Sequence, residues 1–288
     1  MLLNIKQNEK LLILIFLSLI FLALNSILCK AALVNNFIDA YSFTFFRIIS
    51  AALTLIFIYL YKNKKLVFNT KTNWLSSFML FIYAICFSYS YLSIDAGFGT
   101  LLLFAIVQLV MVFASFFYKE KINLQKIIGI FLAIFGLIYL LYPTQSFEVS
   151  FYHALLMIIS GVAWAIYTII GKKSINALAN TMDNFIKATL FIVLFYFVFT
   201  IDNLHYSFYG IVLALISGSI TSAIGYVIWY EVLPKIQIIT AGVIQLFVPI
   251  LSIVFSIVFL DEVLTNTLLT STVIIILGIL ITIFSKTK

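Results

Sequence analysis

The 288-residue chain is 64% hydrophobic and only 9% charged, with a formal net charge of +7. Soluble domains are about half apolar and about a quarter charged, so a water-soluble fold could not bury this much apolar surface. The composition therefore excludes a soluble enzyme with a membrane anchor and indicates a protein that crosses the bilayer many times.

Apolar runs of spanning length follow one another along the whole chain. Lipid leaves every backbone polar group to be satisfied within its own segment, so these runs are predicted to be α-helices. We predict an all-α integral membrane protein with ten transmembrane helices. The predicted spans are 11–31, 40–61, 74–93, 99–118, 125–142, 152–171, 183–200, 207–230, 238–260 and 267–284.

The first run follows Lys6 and Lys10 and has the outline of a secretion signal. It lacks a small-x-small cleavage site, so we predict an uncleaved first helix. The two cysteines, Cys29 and Cys86, lie inside apolar runs without metal-type spacing. They are expected to be packing residues, and no metal site is predicted.

Charged residues separate cleanly between the two sets of loops. With the N-terminus inside, almost all lysines fall in the inner segments, and the outer loops contain no cation. Because cytoplasmic loops are enriched in Lys and Arg, this pattern predicts both termini in the cytoplasm. The same pattern accounts for the net positive charge of the chain, so no nucleic-acid partner is predicted. The composition, rich in Lys, Ile and Asn with a single Arg, indicates a bacterial source, so the expected location is a bacterial inner membrane. The outer loops hold Asp39, Asp95, Glu148, Asp202, His205, Asp261 and Glu262.

An internal repeat appears at a constant offset of 142 residues. Each unit contains five predicted spans, an odd number, so the second unit must lie upside down in the membrane. Inverted repeats are typical of secondary transporters, whose substrate site lies near the midplane between the halves. We predict two five-helix repeats, 1–143 and 150–288. The matched pairs are Ala23 and Ala165, Ser26 and Thr168, Lys30 and Lys172, Glu120 and Glu262, and Gly136 and Gly278.

Several short motifs occur at matching places in the two halves. The first span ends in Ala23-Leu24-Asn25-Ser26-Ile27-Leu28-Cys29-Lys30, and its repeat reads Trp164-Ala165-Ile166-Tyr167-Thr168-Ile169-Ile170-Gly171-Lys172. The second span has Arg47 before Ala51-Ala52, and the ninth runs from Pro249 to Glu262. Over nearly the whole chain these motifs resemble the EamA-like branch of the drug/metabolite transporter superfamily.

That resemblance implies ten helices in two inverted EamA-like repeats and alternating-access transport, often export of amino acids or related metabolites. The chain departs from the family pattern where Leu22 replaces a tryptophan and Val107 replaces a proline. The departures leave the substrate class open.

Arg47 lies about eight residues into the second span, or about 12 Å of helix. A charge inside a bilayer is costly and marks a functional site by default. We predict that its guanidinium faces a cavity and holds a substrate carboxylate or phosphate. The alternative is that the side chain snorkels to the outer interface.

Five further residues are predicted to line the same site. Two polar groups occupy equivalent mid-span positions, two amides lie deep in the two halves, and one tryptophan forms an aromatic wall. Hydrogen bonds that merely join helices are the rival interpretation of the polar groups. The residues are Asn25, Tyr167, Gln108, Gln245 and Trp164.

Two residues are predicted to govern movement. Lys30 is a cation on the side where loops lack them, so it is expected to pair with Asp39 or Asp95 or to form an outer gate. Pro249 is expected to kink the ninth helix and act as a hinge.

Other polar residues are assigned to the membrane interface. Trp229 and Tyr230 are expected in an interfacial aromatic belt, Lys187 at the interface, and Asp183 at an inner helix end. With no acidic residue expected at mid-span, ion coupling is not evident from the sequence.

We therefore predict a secondary transporter of small metabolites, such as amino acids or related compounds, that works in export by alternating access. Its expected partners are a small-molecule substrate and the lipid bilayer, with a homodimer left open and no cofactor. A flippase for a lipid-linked sugar or another amphiphile is the alternative. A membrane-embedded enzyme is disfavoured because no GxSxG, HExxH or Walker motif occurs.

Overall fold

The computed structural model describes residues 2–64, 74–117, 124–141, 150–199 and 204–284, and these residues are almost entirely helical. The predicted positions Glu120, Glu148 and Asp202 lie outside the described residues. The helices of the first half are α1 (Leu2–Val34), α2 (Ala40–Asn63), α3 (Trp74–Ser90), α4 (Ala96–Phe117) and α5 (Leu124–Leu141). The first helix thus begins nearer to the N-terminus than the apolar run indicated.

The second half begins with two long helices and continues with segmented ones. They are α6 (Phe151–Gly171), α7 (Ala177–Phe199), α8 (Phe208–Ile216), a π-helical segment (Ser217–Ile224), α9 (Gly225–Val232), α10 (Ile238–Ile244), α11 (Phe247–Leu260) and α12 (Asn266–Phe284).

The described chain is a multi-pass membrane protein. Seven of its helical rods are long and apolar enough to cross a bilayer: Glu9–Val34, Ala40–Asn63, Ala96–Ser115, Phe151–Gly171, Ala177–Phe199, Phe208–Lys235 and Ile238–Leu260. Three shorter apolar helices accompany them: Trp74–Ser90, Ile127–Leu140 and Asn266–Gly278. The all-helical fold is confirmed, while the count of ten crossings stays a prediction.

One end of the bundle is held together by contacts between loops, and we call it the Asp39 end. The Asp39 carboxylate accepts hydrogen bonds from Ser42 N at the start of α2 and from His205 N in the α7–α8 loop. A backbone bridge joins Ile38 to Tyr206 in the same place. These bonds cap α2 and fix the two loops to each other. The opposite end, which includes Lys64, is called the Lys64 end.

Helices α5 and α12 pack closely through small residues. A Cβ placed on Gly136 of α5 would lie 2.8 Å from Ile275 Cγ1, and one on Gly278 of α12 would lie 2.6 Å from Ala133 N. Under the repeat offset, Gly136 corresponds to Gly278 and Ala133 to Ile275. The same contact is therefore made twice, once from each helix, as in a twofold-symmetric interface.

Two spans of the second half are interrupted. The π-helical segment replaces regular α-helix between α8 and α9, and the rod Ile238–Leu260 breaks at Gln245 and Leu246. Pro249 is buried three residues beyond that break. A proline ring clashes with the carbonyl four residues earlier, here that of Gln245, which accounts for the break. The predicted kink is present, and whether it acts as a hinge stays a prediction.

Candidate functional site

Arg47 lies in the middle of the bundle with 1% of its surface exposed. Its Nε donates to Ser222 Oγ at 2.9 Å, and its Nη2 donates to Tyr226 OH at 2.7 Å and Tyr83 OH at 3.4 Å. Its Nη1 has no hydrogen-bond partner among the described residues. The guanidinium also lies 5.3 Å from the Phe87 ring centre. Arg47 does not snorkel to an interface, since the protein encloses it completely.

Asn25 ties α1 to the π-helical segment. Its Oδ1 accepts hydrogen bonds from Ser217, Thr221 and Ser222 at 2.9, 2.6 and 3.2 Å. Its Nδ2 donates to Tyr226 OH at 3.4 Å. A π-helix has more residues per turn than an α-helix, so these three hydroxyls share one face. Asn25 therefore holds the segment that positions Ser222 beneath Arg47.

An aromatic cluster continues from Arg47 towards α6. The Trp164 ring lies 4.8 Å from the Tyr83 and Tyr226 ring centres and 5.4 Å from that of Tyr167. Its Nε1 donates to Gln245 Oε1 at 2.7 Å. The amide of Gln245 is thus hydrogen-bonded at the helix break. Tyr83 and Tyr226 connect five predicted site residues into one centre: Asn25, Arg47, Trp164, Tyr167 and Gln245.

Gln108 lies beside this centre on α4. It is 2% exposed, and neither its Nε2 nor its Oε1 has a hydrogen-bond partner among the described residues. It packs against Gly242 of α10, where an added Cβ would lie 3.2 Å from Gln108 Cδ. Because a buried amide without partners is costly, Gln108 is available to a bound molecule.

Lys30 and its repeat counterpart Lys172 make equivalent bonds at opposite ends. Lys30 Nζ donates to Tyr91 O at 3.3 Å, in the loop after α3, and lies 3.9 Å from Asp95 Oδ1. Lys172 Nζ donates to Ile236 O, in the loop after α9. Each lysine therefore joins the first helix of its half to the loop that follows the third apolar span of the same half. Of the two predicted partners of Lys30, the structure shows Asp95.

The interfacial assignments for three residues are wrong. Trp229 and Tyr230 are 0% and 2% exposed, because α9 packs them against the neighbouring helices and not against lipid. Lys187 is also buried and forms an ion pair with Asp183 at 2.6 Å. Its Nζ lies 4.9 Å from the Trp74 ring centre. The second half therefore contains a buried ion pair, which the sequence interpretation placed at the interface.

Among the described residues, large cavities open at three places around the bundle, and the predicted site residues line none of these three. One of about 510 Å³ is walled by Ile82, Ile85, Cys86, Tyr89, Tyr152, Leu156, Phe195 and Phe199. A second, of about 370 Å³, lies between α2 and α7. A third, of about 510 Å³, lies between α1 and α11 and is almost wholly apolar. On α3, Tyr83 and Phe87 face Arg47 while Ile82, Ile85 and Cys86 face the first cavity, so this helix separates the two.

Sequence reasoning missed Tyr83 and Ser222, both of which contact Arg47 directly. Tyrosine and serine are common in this chain, so neither stands out alone. The spacing of Ser217, Thr221 and Ser222 inside an otherwise apolar span is the pattern that marks Ser222, and no such pattern marks Tyr83.

These features define a helical membrane protein with a buried polar centre, the class to which membrane transporters belong. The model of the EamA-like transporter family matches the chain twice, at residues 10–142 and 152–284. The two matched stretches begin 142 residues apart and cover nearly all of the sequence. The chain belongs to the EamA-like transporter family of the drug/metabolite transporter superfamily, as its motifs predicted.

Curated relatives agree with this assignment. An uncharacterized protein of Pseudomonas aeruginosa is 36% identical over 272 residues, 94% of each chain. The uncharacterized transporter YoaV of Bacillus subtilis is 22% identical over 68% of this chain and 69% of its own. An uncharacterized transporter of Archaeoglobus fulgidus is 25% identical over 72% and 75%.

The fold is also found in a solved crystal structure. That chain superposes with a TM-score of 0.70 over 95% of this protein and 99% of its own length, at 13% sequence identity. At that identity the likeness concerns the fold alone. Family and relatives together point to a membrane transporter of small molecules.

Proposed function

We propose that this protein is a secondary transporter with ten spans in two inverted five-helix repeats, which exports amino acids or related compounds by alternating access. The proposal places it in a bacterial inner membrane with both termini in the cytoplasm. The observation that carries it is Arg47, a buried cation at the place where α2, α3 and the π-helical segment meet, whose hydrogen bonds within the described residues go to hydroxyls. Such a group is costly in a membrane unless it binds something.

The inverted arrangement is supported by contacts that repeat under the 142-residue offset. The Gly136–Ile275 contact has its counterpart in Gly278–Ala133. The bonds of Lys30 and Lys172 are likewise equivalent, and they lie at the two ends of the bundle. When two halves of a protein make equivalent contacts, they can exchange roles, so that the site opens to one side of the membrane and then to the other. This exchange is the basis of alternating access.

In this mechanism Arg47 is the charge partner of the substrate carboxylate. Gln108 and Gln245 orient its polar groups, while Trp164 and Tyr167 form the wall beside them. In the proposed mechanism α3 moves aside, because it separates Arg47 from the cavity lined by Ile82, Ile85 and Cys86. Lys30 and Pro249 act as gate and hinge, and Asn25 keeps the π-helical segment in place.

One observation favours the alternative of a flippase. The cavity between α1 and α11 opens sideways and is lined by apolar side chains, including Leu12, Phe16, Phe247 and Ile250. Such a groove can accept an acyl chain while a headgroup enters the centre. We rank this second because the groove lacks polar lining that leads to Arg47.

The two functions separate in proteoliposomes. Counterflow of radiolabelled metabolites, beginning with amino acids and their derivatives, tests transport, and loss of a fluorescent phospholipid from the outer leaflet tests flipping. We expect counterflow of at least one metabolite, lowered at least about tenfold in Arg47→Gln because a charge-assisted contact is lost. Lipid flipping without counterflow contradicts the transport function. Normal counterflow in Arg47→Gln removes this residue from the site.

A further inference from the structure

The charge balance around Arg47 sets it apart from two other enclosed cations. Lys187 is neutralised by Asp183 at 2.6 Å, and Lys30 lies 3.9 Å from Asp95. In the part of the chain that the structure describes, no carboxylate lies within 4.0 Å of the Arg47 guanidinium. The centre therefore carries one uncompensated positive charge.

A bound anion would remove that imbalance. Nε and Nη2 of Arg47 are already bonded to Ser222 and Tyr226, and Nη1 is the nitrogen that remains available. A carboxylate oxygen is a good acceptor for it, because charge-assisted hydrogen bonds are strong where water is excluded.

A bound molecule with one negative charge neutralises the charge of Arg47. A phosphate monoester carries between about 1.5 and 2 negative charges near neutral pH, and would leave an excess that no neighbouring group meets. Lys187 does not supply it, since Asp183 already holds its ammonium group. The centre therefore suits a monoanion better than a phosphate ester or a dicarboxylate.

An ammonium group on the substrate would restore the imbalance. A zwitterionic amino acid cancels the charge of Arg47 with its carboxylate but brings a second cation. Among the described acidic side chains, Asp183 is the buried one, and it is engaged by Lys187. The groups around Tyr226 are instead aromatic, with Trp164 and Phe185 at ring distances of 4.8 and 5.7 Å. These rings can pack against an apolar remainder, and they offer an ammonium group ring faces but no carboxylate.

We infer that the Arg47 site selects small monoanionic carboxylates without an ammonium group, such as 2-oxo or 2-hydroxy acids. This inference rests on the proposed transport function and narrows its substrate class to compounds related to amino acids.

Matched pairs of substrates test the inference. Purified protein in liposomes is given labelled pyruvate or alanine, 4-methyl-2-oxopentanoate or leucine, and phenylpyruvate or phenylalanine. The members of a pair share carboxylate and side chain and differ in the ammonium group. We expect at least roughly tenfold faster counterflow of the oxo acid in one or more pairs, because an unmatched buried charge is costly.

The outcomes separate the inference from the function on which it rests. Equal or faster transport of the amino acids overturns the inference and leaves the transport function in place. Transport of neither member of any pair also overturns the inference, and the wider metabolite screen then decides the function. Preferred transport of a phosphate ester contradicts the monoanion rule directly.

Two variants link the preference to Arg47. Arg47→Lys keeps the charge and loses the planar donors, so transport slows while the oxo-acid preference is retained. Arg47→Gln removes the charge and should reduce the preference at least about tenfold. Lys235→Gln, in an exposed pair with Glu231, is the control and should change neither. Retention of the preference in Arg47→Gln would falsify the inference, and the Lys variant covers the case in which the Gln variant does not fold.

Discussion

Lys30 and Lys172 occupy equivalent places in the two halves and make equivalent bonds to backbone carbonyls. Arg47 and its counterpart Thr189 behave differently. Arg47 contacts three hydroxyls in other helices, whereas the Thr189 hydroxyl bonds only to the Phe185 carbonyl of its own helix. The ends of the two halves are thus alike, and their middles are not.

This difference distinguishes the parts of the molecule that are proposed to move from the parts that are proposed to bind the substrate. In the proposed alternating-access mechanism, parts that move in a symmetric way keep the repeat, because two access states of equal energy need equivalent contacts at both ends. Parts that bind an asymmetric molecule cannot keep it. The buried charges in the middle of the bundle follow this rule. Arg47 of the first half corresponds to Thr189, and the Asp183–Lys187 pair of the second half corresponds to Tyr41 and Phe45 in the first.

The largest expected effect comes from breaking the buried ion pair of the second half. Asp183→Asn leaves the Lys187 ammonium buried beside a neutral amide, so we expect a loss of about 3–5 kcal/mol in the free energy of unfolding. Steric-trapping measurements in lipid bicelles give this quantity. Glu231→Gln, in the exposed pair Glu231–Lys235 with the same spacing, is the control and should cost at most about 1 kcal/mol. Equal effects would show that Asp183 and Lys187 are exposed to water.

The symmetric contact between α5 and α12 provides the next effect. Gly136→Leu and Gly278→Leu each place a side chain where a neighbouring helix already lies within 3 Å. Overpacking of this kind costs about 1–3 kcal/mol. We expect the two variants to lose similar amounts of stability, measured by thermal unfolding followed through tryptophan fluorescence. A large loss in one variant alone would contradict the twofold-symmetric contact.

The sequence alone predicts the parts of this structure that depend on composition and on rare residues. Apolar run length gives the helices, because lipid permits few alternatives. Arg47 and Asn25 are identified because polar groups are rare at mid-span. Tyr83 escapes notice because 17% of the residues are aromatic, so no single ring is informative.

The π-helical segment could not be predicted because sequence periodicity assumes regular α-helix, and an extra residue in one turn leaves no compositional trace. The Asp183–Lys187 pair has the visible spacing of an ion pair within a helix, yet its burial depends on how α3 covers α7, which one sequence does not reveal. Trp229 and Tyr230 were misplaced for the same reason.

The smallest expected effect concerns the two lysine bonds, and it tests the symmetry most sensitively. Lys30→Gln removes a bond at the Asp39 end, and Lys172→Gln removes its counterpart at the Lys64 end. Each change should shift the equilibrium between the state open at the Asp39 end and the state open at the Lys64 end by about 1 kcal/mol, or roughly fivefold in population. The free energy of unfolding should change little. Single cysteines at the buried positions Thr100 and Thr168, in a chain with Cys29 and Cys86 replaced by alanine, report access by their rates of maleimide labelling.

Lys30→Gln should speed labelling at position 100 and slow it at position 168, because opening one end of an alternating-access protein closes the other. Lys172→Gln should do the reverse. Lys235→Gln, in the exposed pair with Glu231, is the control and should change neither rate by more than about twofold. Faster labelling at the same position in both lysine variants would mean that the two bonds do not close opposite ends of the bundle. That result would contradict the inverted arrangement of the halves.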